Sequence, residues 1–335
     1  MTGLTSVGIL GTGSQVPDNV VTNFDLEKRL DTSDEWIRSR TGIVARRIAA
    51  DNEATSDLAI GAARAALDDA NVSADEVDLL IVATCTPDRL MPATAVIVQA
   101  ALGATKAAAF DLNAACSGFA YALDIATQAL RGGAYRRALV IGAEVMSRTV
   151  NWNDRAVCVL FGDAAGAVVL GPVEKGGVLS SYLGADGAGA NLLYIPAGGY
   201  REPNTPATLE ANRNCMIMNG REVYRFAVQV MGEAVIKALS QCGLTPDNIS
   251  LFVPHQANIR IIESAAKRLA LPFDKVFINL DKYGNTSAAS IPLALDEAVR
   301  AGRIHAGDIV VTVGFGAGLT WGANVIEWTA KGSSV

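Results

Sequence analysis

The sequence is poor in aromatic residues, at 6%, and has two histidines in 335 residues. Its five cysteines (Cys85, Cys116, Cys158, Cys215, Cys242) are odd in number and scattered, with no CxxC pair. That excludes a disulfide framework and a thiolate zinc centre. His255 and His305 stand fifty positions apart without clustered acids or thiols, so no metal site is expected. No apolar run approaches the ~18–20 residues that cross a bilayer, and no membrane partner is expected. The start, MTGLTSVGILGTGSQVP, lacks the basic segment, long apolar core and cleavage site of a signal peptide. A cytoplasmic protein follows as the expectation. With 28 Lys and Arg against 34 Asp and Glu, the net charge of −6 offers no concentrated basic face to nucleic acid. The densest basic string, RGGAYRR (Arg131–Arg137), reads as a helix end entering a turn.

What is abundant is small and apolar. Half of the residues are hydrophobic, and Ala, Val and Gly dominate, which suits tightly packed α/β layers. The chain also repeats itself. ALDDANVSADEVDLLIV (Ala66–Val82) aligns without a gap on ALSQCGLTPDNISLFVP (Ala238–Pro254), a displacement of 172 positions. The same displacement sets ALDIA (Ala122–Ala126) on ALDEA (Ala294–Ala298). Two similar halves, 1–172 and 173–335, are therefore expected, joined near GPVEKGG (Gly171–Gly177). Each half alternates amphipathic helices with buried strands, among them LLIVATC, LFVPH, RALVIGAE and DIVVTVGFG. That alternation implies covered sheets with crossover connections, and a site where the halves meet.

The repeat places three polar residues at matching points. Cys116, in DLNAACSGFA, falls 172 positions before Ala288, within the Asn285 loop, and each loop leads into the AL helix of its half. His255 follows the second-half strand where Ala83 follows the first. A thiol at a helix start faces unpaired N–H groups and the positive helix end, which favour thiolate. That effect, ~0.3–1 kcal/mol, is less than one pKa unit, so the thiol needs a further partner or a buried helix to be thiolate at neutral pH. His255 is the candidate, since His305 lies in the polar turn RIHAGD. A structural role for His255 and a plain turn role for Asn285 stay open. Cys158 reads as core, and Cys85, Cys215 and Cys242 have no comparable setting. GTGSQV (Gly11–Val16) begins like a dinucleotide fingerprint but has Val16 where the third Gly belongs. GFGAGLTWG (Gly314–Gly322) is either a tight turn or a source of backbone N–H groups for an oxyanion.

Five segments in order resemble the β-ketoacyl-acyl-carrier-protein synthase III family. They are DTSDEWIRSRTGI (Asp31–Ile43), AACSGFAYAL (Ala114–Leu123), FGDAAGAVVL (Phe161–Leu170), VPHQANIRI (Val253–Ile261) and GNTSAASIPLAL (Gly284–Leu295). The likeness runs from about Val7 to Trp328 and implies a thiolase-like α/β fold: duplicated αβαβα halves in five layers, working as a homodimer. It implies decarboxylating condensation of an acyl-CoA primer with malonyl-acyl carrier protein, without a cofactor, coenzyme A entering as the thioester substrate. Cys116, His255 and Asn285 take the catalytic positions, with backbone N–H groups of Cys116 and Ala317 as the oxyanion site. Trp36, Arg40, Arg155, Asn258 and Phe315 match coenzyme A and substrate positions; Met91, Phe161 and Met218 match the acyl pocket. Gln256, Ala257, Asn258, Ile259, Arg260, Lys267 and Arg268 match the carrier-protein docking segment, suited to an acidic partner. Met at position 91, unbranched and adaptable, suggests primers beyond acetyl. A related enzyme of polyketide metabolism is the nearest alternative; a non-catalytic ketosynthase partner would lack the nucleophile.

Overall fold

The computed structural model describes residues 6–329 and builds each half from the same elements. The first half opens with strand β1 (Val7–Gln15) and the short pair β2 (Val20–Thr22) and β3 (Ala45–Arg47), with helices α1 (Asn23–Glu27) and α2 (Asp34–Thr41) between them. Then come α3 (Thr55–Ala70), β4 (Leu79–Ala83), α4 (Thr94–Leu102), β5 (Ala108–Leu112), α5 (Gly118–Arg131), β6 (Ala138–Val145) and β7 (Asp163–Pro172). The second half runs β8 (Gly177–Ala185), β9 (Leu193–Tyr194), α6 (Pro206–Glu210), β10 (Ile217–Met218), α7 (Gly220–Gln241) and β11 (Leu251–Pro254). It ends with α8 (Ile259–Arg268), α9 (Leu280–Tyr283), α10 (Ser290–Arg300), β12 (Ile309–Gly316) and β13 (Thr320–Glu327). Gly11 and Gly13 lie inside β1, so that glycine string forms no phosphate loop. The basic string is the last turn of α5 and the approach to β6, as read.

The sheets repeat as the sequence does. One has the order β1-β7-β6-β4-β5, the other β8-β13-β12-β11, each mixing parallel and antiparallel pairs in the same pattern. The fifth position of the second sheet holds only a parallel bridge from Phe252 to Val276. β4 is buried along its length because its sheet is covered on both faces, hence its unbroken apolar run LLIVA. Helices α5 and α10 pack between the sheets and share one core with their inner faces. α3 and α4 cover the outside of the first sheet, α7 and α8 that of the second. Five layers result. No helix of the described residues is long and apolar enough to cross a membrane.

The halves grip each other through matched glycines. A Cβ on Gly142 of β6 would lie 2.2 Å from the Ala288 carbonyl, beside the Asn285 loop. Its counterpart 172 positions on, Gly314 of β12, would meet the Cys116 carbonyl at 3.1 Å. Each half's strand thus seats the other half's loop. The Gly142→Ala variant is expected to lose about 1–3 kcal/mol of stability, because backbone atoms cannot yield as side chains do. Thermal unfolding checks it; an unchanged midpoint would contradict the close contact.

Candidate active site

Cys116 is buried in a single 3₁₀ turn, Ala115–Ser117, just ahead of α5. Ala115 takes the left-handed conformation at φ 48°, and Ser287, 172 positions later, takes it at φ 50°. The two loops therefore share one backbone turn. Burial pushes the Cys116 thiol up to about 12; the nearby Ser287 hydroxyl lowers it, and Glu144 raises it further. Here desolvation outweighs the helix end. Neither the Cys116 N–H nor the Ala317 N–H donates to a carbonyl among the described residues. Ala317 follows Gly316, whose Cβ, if present, would stand 2.7 Å from the Cys116 nitrogen. The β12–β13 connection is thus a tight turn, and it lies against the nucleophile's backbone.

His255 extends the ladder beyond β11, its N–H donating to Val313 O at 2.7 Å. Its Nδ1 lies 2.6 Å from Ser290 Oγ, and the ring meets Phe315 edge-on with centroids 5.4 Å apart. Ser290 Oγ accepts from Gln256 N at 3.4 Å; with the Ser290 proton given to Nδ1, the neutral ring carries its own proton on Nε2. Burial brings His255 down to about 3, so the ring is neutral at ordinary pH. A neutral ring does not supply the further partner that would hold Cys116 as thiolate, and it fits the neutral donor that the resemblance implies. Its partner is Ser290, and what it presents is a neutral N–H donor.

Asn285 is fixed on both sides of its peptide, donating to Leu160 O at 2.8 Å and accepting from Gly162 N at 3.1 Å. Its Oδ1 accepts from Ser287 N at 2.9 Å, so the side-chain NH₂ is left as the donor. Cys116, His255, Asn285 and Phe315 line one outer cavity of about 100 Å³. Phe161 and Met218 line it too. Behind the thiol lies a larger, mostly apolar cavity of about 240 Å³, bounded by Cys85, Met146, Phe161, Leu193, Met216 and Ala317 among others. Met91 borders neither; it is 82% exposed on the loop before α4. Sequence reasoning set Cys85 aside, yet it shares the inner cavity with Cys116. It also missed Glu144, which is buried at the end of β6 and donates nothing to the period by which a strand is read.

The remaining candidates lie on α2, on the segment before β7, and on or just before α8, and of these Ala257 and Asn258 border the outer cavity. Arg40 and Arg155 both stack over Trp36, with guanidinium carbons 5.0 and 5.5 Å from the ring centroid. Asn258 caps α8 by accepting from Arg260 N and gives its NH₂ to Arg40 O at 3.0 Å. Its amide is therefore committed to the wall, although it borders the cavity. Arg260, Lys267 and Arg268 are exposed on α8, and Ala257 and Ile259 are half-buried. Gln256 does not belong with them. It is 1% exposed, with its amide bonded to Pro254 O, Phe277 O and Asn279 N. A docking role for its side chain is ruled out by that burial.

Residues 110–187 match the family described as 3-oxoacyl-[acyl-carrier-protein] synthase III, and residues 239–328 match its C-terminal region. The chain is 60% identical over 325 residues to β-ketoacyl-[acyl-carrier-protein] synthase III of Caldanaerobacter subterraneus subsp. tengcongensis, covering 97% of this chain and 98% of the relative. It is 58% identical over 323 residues to that of Symbiobacterium thermophilum, covering 96% and 98%. The solved β-ketoacyl-[acyl carrier protein] synthase III of Thermus thermophilus superposes with a TM-score of 0.90 at 52% identity, covering 96% of this chain and 99% of that one.

Proposed function

The chain belongs to the β-ketoacyl-acyl-carrier-protein synthase III family, and from that premise we propose how its residues divide the work. The enzyme condenses an acyl-CoA primer with malonyl-acyl carrier protein, releasing carbon dioxide and coenzyme A, to begin fatty acid synthesis. Cys116 attacks the primer and holds it as a thioester, its acyl chain in the inner cavity. Backbone N–H groups of Cys116 and Ala317 receive the oxyanion, which suits two donors that no backbone carbonyl occupies. Malonyl thioester then reaches the outer cavity, and loss of carbon dioxide builds charge on its thioester oxygen. The Nε2–H of His255 and the amide NH₂ of Asn285 stabilise that enolate; both are donors already oriented and desolvated. Phe315 shields the imidazole from water. The reaction draws on no resident cofactor.

The observation that carries this reading is the meeting of Cys116, His255 and Asn285 on one small cavity. Trp36 with Arg40 and Arg155 forms a stacking face for the adenine and phosphates of coenzyme A at its mouth. Arg260, Lys267 and Arg268 offer an acidic carrier protein a basic strip. The unpaired edge of β5, with exposed Leu90, Met91 and Phe110 nearby, supports a homodimer, Met91 closing the partner's acyl cavity. A water needs only ~10–15 Å³ of such space, so the inner cavity takes more than an acetyl methyl. Acetyl-, isobutyryl- and octanoyl-CoA should each leave their acyl mass on Cys116, and each adduct should be consumed by malonyl-carrier protein. Strict use of acetyl-CoA would sink the wider primer range; no adduct with any of the three would sink the assignment itself.

A further inference from the structure

The two reactive loops are copies of one turn, and each serves as a control for the other. Asn113 stands 172 positions before Asn285, and Ala115 the same distance before Ser287. In both loops the asparagine Oδ1 accepts from the backbone N–H two residues on, at 3.2 Å from Ala115 and 2.9 Å from Ser287. In both, that second residue is left-handed. The settings differ. Asn113 is exposed and its partner is an alanine, whereas Asn285 is buried and its partner carries a hydroxyl. The strands that face the loops differ at one matching place as well. Gly316 of β12 leaves room beside the nucleophile, since a Cβ there would stand 2.7 Å from the Cys116 nitrogen. Its counterpart in β6 is Glu144, whose side chain reaches the Asn285 loop.

Glu144 is 0% exposed and has no part in the chemistry above. Its Oε2 accepts from Thr84 Oγ1 at 3.1 Å, Thr86 N at 3.1 Å and Thr86 Oγ1 at 2.6 Å. Its Oε1 accepts from Cys85 Sγ at 3.2 Å and Ser287 Oγ at 2.9 Å, and Cys85 N donates to both oxygens. A buried carboxyl is expensive to keep, and apolar residues of the same shape would serve packing better. What this one does is join the loop after β4, in the first half, to the Asn285 loop of the second. We infer that Ser287, seated on Glu144, is the positioning residue for Asn285. Glu144 Oε1 holds the Ser287 hydroxyl, the Ser287 N–H holds Asn285 Oδ1, and the amide thereby turns its NH₂ toward the enolate.

The need for such a seat follows from the amide itself. The Asn285 peptide is fixed by Leu160 and Gly162, but those bonds leave its side chain free to turn over. Turned over, it would present Oδ1, an acceptor, where the enolate oxygen forms. The Ser287 N–H decides between the two orientations, and it points at Oδ1 only while Ser287 stays left-handed at φ 50°. Residues other than glycine adopt that conformation at a cost. The hydroxyl bond to Glu144 ties the turn to a buried strand end of the other half. The copy without such a seat makes the longer of the two bonds.

The inference rests on Asn285 as an enolate donor, and its test separates the two. Ser287→Ala puts the first-half residue into the second-half turn: the N–H and the left-handed conformation stay, as Ala115 shows, and only the seat is lost. Single-turnover mass spectrometry follows acetylation of Cys116 and then its discharge at varied malonyl-carrier protein. Acetylation should keep its rate. The maximal discharge rate should fall about tenfold at an unchanged half-saturating concentration, less than the 10²–10³-fold loss expected for a donor removed outright. With Asn285→Ala and Ser287→Ala combined, discharge should be no slower than in Asn285→Ala alone, because the two side chains act as one unit. Wild-type discharge in Ser287→Ala beside a slow Asn285→Ala overturns the inference and leaves the proposed function standing. Equal losses at both steps, or losses that multiply in the combined variant, overturn it too, since they mark a structural role. Normal discharge in Asn285→Ala sinks the proposed function, and the inference with it.

Discussion

Truncating His255 to Ala is expected to slow condensation by about 10²–10³-fold while acyl-enzyme formation continues. The reason is the placement of its proton. Nδ1 is taken by Ser290, so the only donor it aims at the cavity is Nε2–H, which matters when the enolate forms. Asn285→Ala should behave alike, since its Oδ1 is tied to Ser287 N and its NH₂ is the working end. Single-turnover mass spectrometry separates the steps: acetyl-Cys116 should form and then persist when malonyl-carrier protein is added. Normal condensation in both variants would refute the assignment. The pH dependence has a definite sign. His255 binds its proton near 6.5 when unfolded and only at about 3 when folded. Its contribution to stability is therefore present above pH ~6.5 and lost progressively as pH falls toward ~3. Condensation should not decline near pH 6 through protonation of this ring. A loss of activity that titrates near 6 and vanishes in His255→Gln would show the ring to be solvated instead.

Gly316→Ala should be the most damaging change that leaves the nucleophile untouched. The added Cβ would stand 2.7 Å from the Cys116 nitrogen and 3.0 Å from its Cβ. Displacing that backbone disturbs one of the two oxyanion donors, and loss of such a donor lowers rates by about 10²–10³-fold. Acyl-enzyme formation should therefore fall by at least about 10²-fold, before any effect on condensation. Gly187→Ala is the control, because a Cβ there meets nothing within 4 Å. Both proteins should fold, as judged by circular dichroism. Wild-type acylation in Gly316→Ala would mean that the oxyanion lies elsewhere.

The repeat in the sequence was enough to pair the loops of Cys116 and Asn285, because both halves keep one spacing through corresponding helices and strands. The matched 3₁₀ turns and left-handed residues follow from that spacing. Periodicity also located β4, β6, β11 and β12. It was blind where side-chain partners come from afar. Glu144 reads as the polar end of a strand, and only the fold brings Cys85 and Ser287 to it. Gln256 sits in a basic, surface-like string, but its backbone still follows a buried strand end, which turns the amide inward. Asn258 illustrates the converse, since its position at the cavity was legible while its commitment to capping was not.

The reciprocal glycine seats have a consequence for how such a protein can be recombined. The short connection between Pro172 and Gly177 looks like a natural crossover point for chimeras of related chains. A cut there would part each reactive loop from the strand that seats it, since Gly142 faces Ala288 and Gly314 faces Cys116. The inheritable module is thus a loop together with the opposing strand, and it is discontinuous in the gene. Exchange of whole halves should succeed only between parents whose loops and seats have drifted little.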